Sequence, residues 1–398
     1  MNRISLHLIL ASAVFLGLAA PVSAQEKRVA TPGADRNLSL KLEIERAIAK
    51  GVTWLEQHQD AEKGTWSDPV NPSLTALPVM AIIGDPNREA GSDLPASAKK
   101  GFDYIVSTQQ PDGGLYTQAL ATYNTALSVT ALSVSGQKEY LPVIAKARRY
   151  LVGLQQDDEN RGQNDTLYDG GIGYSGSRTH SDMSNTHFAL EALYYSKKAL
   201  ADTEYDNSNE VDLDWDAAIE FVSLCQNSDD TIKKLGDGFG MRDEDRGGFV
   251  YHPGNTKADE FKLDGGKVAL RSYGSMTYAG LLSFVYAEMS EDDPRVVAAR
   301  EWLKANYSVK ENPGMEAQGL FYYYHTMSKA LATSRTGKLE LEGGKLVDWH
   351  QDLAVALFDR QQSDGSWVNE ESKRWMEDDP ALVTAYALLA LEHVYRTL

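Results

Sequence analysis

The chain is 398 residues long, 42% apolar and 9% aromatic, with a single cysteine, Cys225. That is enough apolar surface for a large core, and one thiol excludes an intramolecular disulfide framework. The 39 basic side chains face 57 acidic ones, a formal charge of -18, so the surface repels nucleic-acid phosphates and anionic headgroups, and nucleic acid is not expected as a partner.

In chain order, residues 1–24 carry Arg3, an apolar run over 4–18 and the small-residue cleavage pattern Val22-Ser23-Ala24. This reads as a secretory signal peptide. The run is shorter than the ~20 apolar residues a spanning helix needs, so no integral membrane segment is expected after cleavage. The localisation that follows is export, to a periplasm or to the outside. Residues 25–37 are polar, hold Pro32-Gly33 and read as a flexible leader, which leaves 38–398 as one domain.

From there one unit recurs: a helix, a turn bearing Gly and an aromatic, and a second, more apolar helix. Helical spacing over 44–57 leads into Gly64-Thr65-Trp66 and a helix over 73–83. The next unit runs over 101–110, Pro111-Asp112-Gly113-Gly114-Leu115-Tyr116 and 122–134. A third runs over 145–156, Asp169-Gly170-Gly171-Ile172-Gly173-Tyr174 and 184–196, and a fourth over 215–226, Arg246-Gly247-Gly248-Phe249-Val250-Tyr251 and 275–287. The fifth, over 296–306, Pro313-Gly314 and 320–332, is degenerate like the first, and the sixth runs over 349–360, Gln361-Gln362-Ser363-Asp364-Gly365-Ser366-Trp367 and 381–394.

A helix pair cannot bury its apolar stripe alone, so stacked pairs must share a core. Second helices such as Tyr386-Ala387-Leu388-Leu389-Ala390-Leu391 are the more apolar and suit an inner position. The pattern predicts an all-α chain of twelve principal helices, an inner ring within an outer ring. Cys225 reads as a small core residue, and Glu291-Asp292-Asp293 as a solvated loop or helix cap.

Two inserts interrupt the pattern, 157–181 and 229–271. The second holds Gly236, Gly238, Gly240, Gly247, Gly248, Gly254, Gly265 and Gly266, too many for a packed helix, and is expected on the rim. Each insert leads into the start of a second-position helix, so the two are expected to meet over one mouth of the ring.

Helices ending in Gln before a Gly turn and Trp or Tyr resemble the repeats of the squalene/hopene cyclase and protein prenyltransferase superfamily, in the manner of a secreted squalene cyclase C-terminal domain. The resemblance covers nearly all of 38–398. It implies an α/α toroid of six helix-pair repeats, with function at the inner-helix N-termini. The acid motif Asp-x-Asp-Asp-Thr of protonation-initiated cyclases has its nearest match in Asp182-Met183-Ser184-Asn185-Thr186, where Ser184 and Asn185 replace two acids. The prenyltransferase zinc set has a counterpart only in His325 of Tyr322-Tyr323-Tyr324-His325-Thr326, because Arg271 and Tyr273 stand where a carboxylate and a thiolate belong. No metal or other cofactor is therefore expected.

What remains is a polar, aromatic mouth. Asp182, His187 and His325 are the candidate catalytic groups, and His180, Asn185, Arg271, Tyr273, Tyr278, Tyr322 and Tyr386 the candidate ligand-binding ones. The expected ligand is lipid-like, terpenoid-like or a glycan. The functional expectation is an exported toroid binding or processing a bulky ligand at one mouth. A non-catalytic binding scaffold and a terpene cyclase with a relocated acid stand as alternatives.

Overall fold

The computed structural model describes residues 37–89, 92–160, 162–174, 180–206 and 211–398. The expected signal peptide, and the leader up to residue 36, lie outside the described residues. Thirteen α-helices carry the described fold. Six are buried on nearly every side, and most of them are apolar well beyond a single stripe: α2 (Ser73–Gly84), α4 (Ala121–Val134), α6 (Met183–Leu200), α9 (Gly274–Tyr286), α11 (Leu320–Thr333) and α13 (Pro380–Thr397). Each packs on the next, and α13 packs back on α2, so they close a ring. Burial follows: α9 is buried at every position from Gly274 to Phe284, and α13 at every position from Ala381 to Glu392.

Outside them lie α1 (Leu38–Gln57), α3 (Ala96–Ser107), α5 (Leu141–Val152), α7 (Trp215–Leu224), α10 (Pro294–Ala305) and α12 (Trp349–Phe358). These are one-faced: α7 buries Ala217, Ala218, Phe221, Val222 and Leu224 and leaves its other face toward solvent. Several start at carboxylate caps, as Asp214, Asp293 and Asp348 accept from first-turn backbone N–H groups, offsetting the unpaired donors there.

The recurring Gln and Gly form one device. Gln59, Gln109, Gln155, Gln226 and Gln361 each donate through Nε2 to the carbonyl of a turn glycine and to a carbonyl of the next outer helix or its cap, at Ser97, Val143, Asp214, Arg295 and Ala47. The bond from Gln361 to Ala47, 2.9 Å long, joins the end of the described chain to its start. The turn glycines Gly64, Gly113, Gly170, Gly247 and Gly365 have positive φ, and a Cβ on them would sit 2.0–2.7 Å from a backbone carbonyl oxygen of that same neighbouring helix. Only glycine permits both the conformation and the approach. The unit from α10 to α11 lacks the glutamine; there Asn312 bonds Ser275 Oγ and the Gln318 carbonyl instead.

The second insert departs from expectation. It opens with a short helix, α8 (Asp229–Leu235), capped by Ser228 and ended by Gly236 at φ 92°. It continues as a three-stranded sheet ordered β1 (Phe239–Gly240), β3 (Val268–Leu270), β2 (Glu260–Lys262), with β1 parallel and β2 antiparallel to β3. A second hairpin, β4 (Leu339–Glu340) with β5 (Leu346–Val347), precedes α12. Both hairpins turn through an acidic residue followed by Gly-Gly-Lys, and in both the leucine before the turn donates to the lysine carbonyl, Leu263 to Lys267 and Leu341 to Lys345. No helix among the described residues is long and apolar enough to cross a membrane.

Candidate functional site

The inner helices run parallel, so the ring has two unlike mouths, one at their N-termini and one at their C-termini. At the N-terminal mouth Asp182 caps α6, accepting from the Asn185 backbone N–H at 2.9 Å and from Asn185 Nδ2 at 2.7 Å. It is fully buried, and burial raises its pKa against these hydrogen bonds. Ser184, where the cyclase resemblance puts its acid, accepts from Tyr123 Oη at 2.5 Å. Tyr273 is buried at the cap of α9. The two inserts meet above: Tyr174 and Tyr251 share a 2.9 Å hydroxyl contact, and His180 packs edge-on against His252 at 5.0 Å. Arg271 lies on the rim and pairs with Asp259 at 2.9 Å. Tyr278 is elsewhere, in the wall between the rings, where it lines a smaller cavity of about 260 Å³ with Leu281, Leu303 and Leu331. The site candidates thus fall into separate groups.

His187, His325, Tyr322 and Tyr386 belong to the bore. Tyr386 stacks on His325 at 5.6 Å and meets Tyr322 at 5.9 Å. Beyond them toward the C-terminal mouth lies an ion pair that residue-type reading missed, Lys329 Nζ on Glu191 Oε1, with both side chains less than a tenth exposed. The other oxygen of Glu191 accepts from Tyr286 Oη at 3.3 Å and lies 3.9 Å from His187 Nε2. Burial, with Lys329 adding to it against the pull of Glu191, lowers His187 to about 4. Burial, Lys329, His393 and His187 hold His325 well below the usual histidine range, and its Nδ1 is buried with no hydrogen-bond partner. Both are neutral imidazoles at pH 7.

Glu191, Lys329 and His325 line a cavity of about 710 Å³ that opens at the C-terminal mouth. Glu191, His325, Lys329, His393, Glu392 and Arg396, from α6, α11 and α13, form a polar part of the lining, while Met80, Ile83, Leu127 and Val134, from α2 and α4, form an apolar one, with Asp85, Arg88 and Glu89 beyond the end of α2. The size falls within the ~300–1,000 Å³ of small-molecule sites. Glu392 is buried, with burial pushing it up to about 8 against the opposing Arg396. One of its oxygens takes Arg396 Nη2 at 3.0 Å and the other has no partner. Among the described residues no three His, Cys, Asp or Glu side chains converge as metal ligands.

The missed residues had a signal. His187, Glu191 and Tyr195 recur at spacing four on α6, Tyr322, His325 and Lys329 at three and four on α11, and Tyr386, His393 and Arg396 on one stripe of α13. A polar stripe on a helix that is otherwise apolar all round marks the face toward a cavity.

No protein-family model and no curated protein sequence matches the chain. Solved structures do. A variant of the type II terpene cyclase MstE from Scytonema, in complex with its substrate geranylgeranyl dihydroxybenzoate, superposes with a TM-score of 0.54 at 12% identity, over 91% of this chain and 100% of that one. The chain has an α/α-toroid, terpenoid-cyclase-like fold. A variant of that cyclase bound to its product, merosterolic acid A, gives 0.53 at 11% identity, over 91% and 100%. An unsaturated glucuronyl hydrolase specific for heparin gives 0.52 at 14%, over 90% of this chain and 98% of that one. Cyclase and hydrolase share the toroid, so the fold leaves the chemistry to the site.

Proposed function

We propose that the chain is an exported toroid of six helix-pair repeats, related to squalene cyclase C-terminal domains, that binds an amphipathic small molecule in the cavity at the C-terminal mouth. The observation that carries this is the two-sided lining: an apolar wall from α2 and α4 faces a polar wall built on the buried Glu191–Lys329 pair and His325. A ligand with an apolar body and a polar part satisfies both walls, whereas a glycan would leave Met80, Ile83 and Leu127 without apolar partners. The prenylated substrate of the Scytonema cyclase is of that kind. A second reading, turnover by a relocated acid, draws support from Glu392, which burial holds in its acid form at neutral pH at the cavity wall.

The test is fluorescence titration with N-phenyl-1-naphthylamine, a neutral apolar dye. Val134→Trp places a large ring at the exposed edge of the cavity and is expected to weaken binding ~10-fold or more by occlusion. Ser184→Ala, at the other mouth, is expected to leave it unchanged. The reverse pattern would move the site to the N-terminal mouth and overturn the reading.

A further inference from the structure

Two guanidiniums at this cavity are arranged in a way that a merely apolar ligand would not require. The C-terminal end of α2 leaves unpaired carbonyls. Arg88 Nη1 donates to the Ile83 carbonyl at 3.0 Å, and Arg396 Nη2 to the Gly84 carbonyl at 2.8 Å. Both side chains line the cavity. Arg88 Nη2 goes to Ser92 Oγ and to the carbonyls of Ser92 and Asp93, while its Nε and second Nη1 hydrogen carry no bond among the described residues. Among the described residues it has no carboxylate partner. Among the described residues Arg396 engages protein through Nη2 alone, which leaves Nε and Nη1 to other acceptors.

Glu392 aside, the nearby carboxylates do not pair with these cations. Glu191 is taken by Lys329, Asp85 accepts from the Asn87 backbone N–H and Nδ2, both at 2.8 Å, and among the described residues neither Asp85 nor Glu89, which also lines the cavity, forms an ion pair with either arginine. Glu392 touches Arg396, but it is the acid that burial keeps protonated at neutral pH. Two cations therefore stand side by side on one helix end, at the rim of a cavity whose interior runs past apolar side chains.

Resting on the reading that the ligand occupies this cavity, we propose that the ligand is an acidic amphiphile, its anionic head held by Arg88 and Arg396 and its tail laid along Met80, Leu127 and Leu389. Guanidinium-to-anion hydrogen bonds are among the stronger available, and a fork of two arginines suits a carboxylate or a phosphate monoester. Glu392 then sets a pH dependence. Below about 8 it is neutral and Arg396 is available; as pH rises through that value it ionises beside Arg396 and competes with the ligand's anion. The charged groups acting on Glu392 are Arg396, which opposes its raised pKa, and Asp85, which adds to it; Arg88, Glu89, Glu191 and Lys329 line the same cavity, with His393 beside it. Burial, Lys329 and Arg396 hold His393 well below its usual range, so it does not titrate in this window.

The experiment is displacement of N-phenyl-1-naphthylamine by dodecanoate, dodecyl phosphate and 1-dodecanol below their aggregation limits, with acetate and inorganic phosphate as tail-free controls. The two anionic arms report which head is preferred. At pH 7 the better of them is expected to displace the dye at ~10-fold lower concentration than dodecanol. Arg88→Gln with Arg396→Gln is expected to erase that preference while dye binding persists; Arg88→Gln alone, which leaves Glu392 paired, serves if the double variant folds poorly. Between pH 6.5 and 9 the preference is expected to fade in the native chain and to stay level in Glu392→Gln. Dodecanol binding as tightly as both anions, with dye binding intact, would overturn this inference and leave the cavity reading standing. Tail-free phosphate displacing as well as dodecyl phosphate would do the same. Dye binding insensitive to Val134→Trp would overturn both.

Discussion

The turn glycines offer a matched experiment on what holds the ring together. Gly64 and Gly265 have φ of 74° and 75°, so alanine meets the same backbone strain at either. Their surroundings differ. A Cβ at Gly64 would lie 2.7 Å from the Lys100 carbonyl oxygen, with the Lys100 carbonyl carbon and Cβ at 2.9 Å, all on α3; at Gly265, in the exposed hairpin turn, nothing stands within 4 Å. Left-handed backbone costs a non-glycine residue about 1–2 kcal/mol, partly offset by about 0.4–1 kcal/mol from a less flexible unfolded chain. Gly265→Ala is thus expected to cost about 0–1.5 kcal/mol. Gly64→Ala adds the displacement of helical backbone, an overpacking cost of about 1–3 kcal/mol, for about 1–4.5 kcal/mol in all. Equilibrium urea unfolding followed by tryptophan fluorescence measures both. If the two variants agree within about 0.5 kcal/mol, the approach to α3 is not what demands glycine, and the account of the repeated turn fails.

Breaking the buried ion pair by Glu191→Gln or Lys329→Met alone is expected to cost about 3–5 kcal/mol, because an unpaired charge or a lost network is left inside; the double change Glu191→Leu with Lys329→Met should recover most of it in the same urea assay, and single variants costing under about 1 kcal/mol would refute the burial of the pair. His187 gives a pH signature. Its folded pKa, near 4, lies below the ordinary 6.5, so between those values the unfolded chain binds the extra proton and stability falls as pH drops. Urea midpoints measured from pH 7 to 4 should decline less steeply in His187→Gln, and equal slopes would remove His187 as a contributor.

Much of the fold was legible because the repeat is written in residues with one structural use. Gln361 and Gly365 recur in pairs since one staples the next outer helix and the other lets it approach, and neither job passes to another residue type easily. Most of the inner helices announced themselves by being apolar well beyond a single stripe. The order inside the second insert went unread because its glycines were counted without their positions. Ser228, Asp229-Asp230, Lys233-Lys234 and Gly236 are the cap, first-turn acids, last-turn bases and terminator of α8. Likewise Gly265-Gly266 and Gly343-Gly344 are hairpin turns flanked by short strands. For the site, Asp182 and Arg271 drew notice by motif position. Glu191, Lys329, Glu392 and Arg396 show only as the polar stripes of apolar helices, a signal that needs the inner ring to be assigned first.

The two mouths differ for a reason that lies in the connections. Each outer helix reaches its inner partner through the Gly turn at the N-terminal mouth, where the staples, the caps at Asp182 and Asp379, and both inserts converge and bury what they meet. Inner helices return to the outer ring at the other mouth through segments that range from Ser135 to Tyr140 between α4 and α5 to the β4–β5 hairpin between α11 and α12, none as long as the two inserts, and the cavity opens there. Space for a ligand is therefore set by loop length, while the chemistry in that space is set by what the inner helices present deeper down. In this chain those helices present an ion pair, neutral histidines and a protonated acid beneath two arginines. That combination separates the cavity from a simple apolar channel, and on the reading proposed above the ligand is selected at the C-terminal mouth, away from the N-terminal positions that the cyclase-like motif singles out.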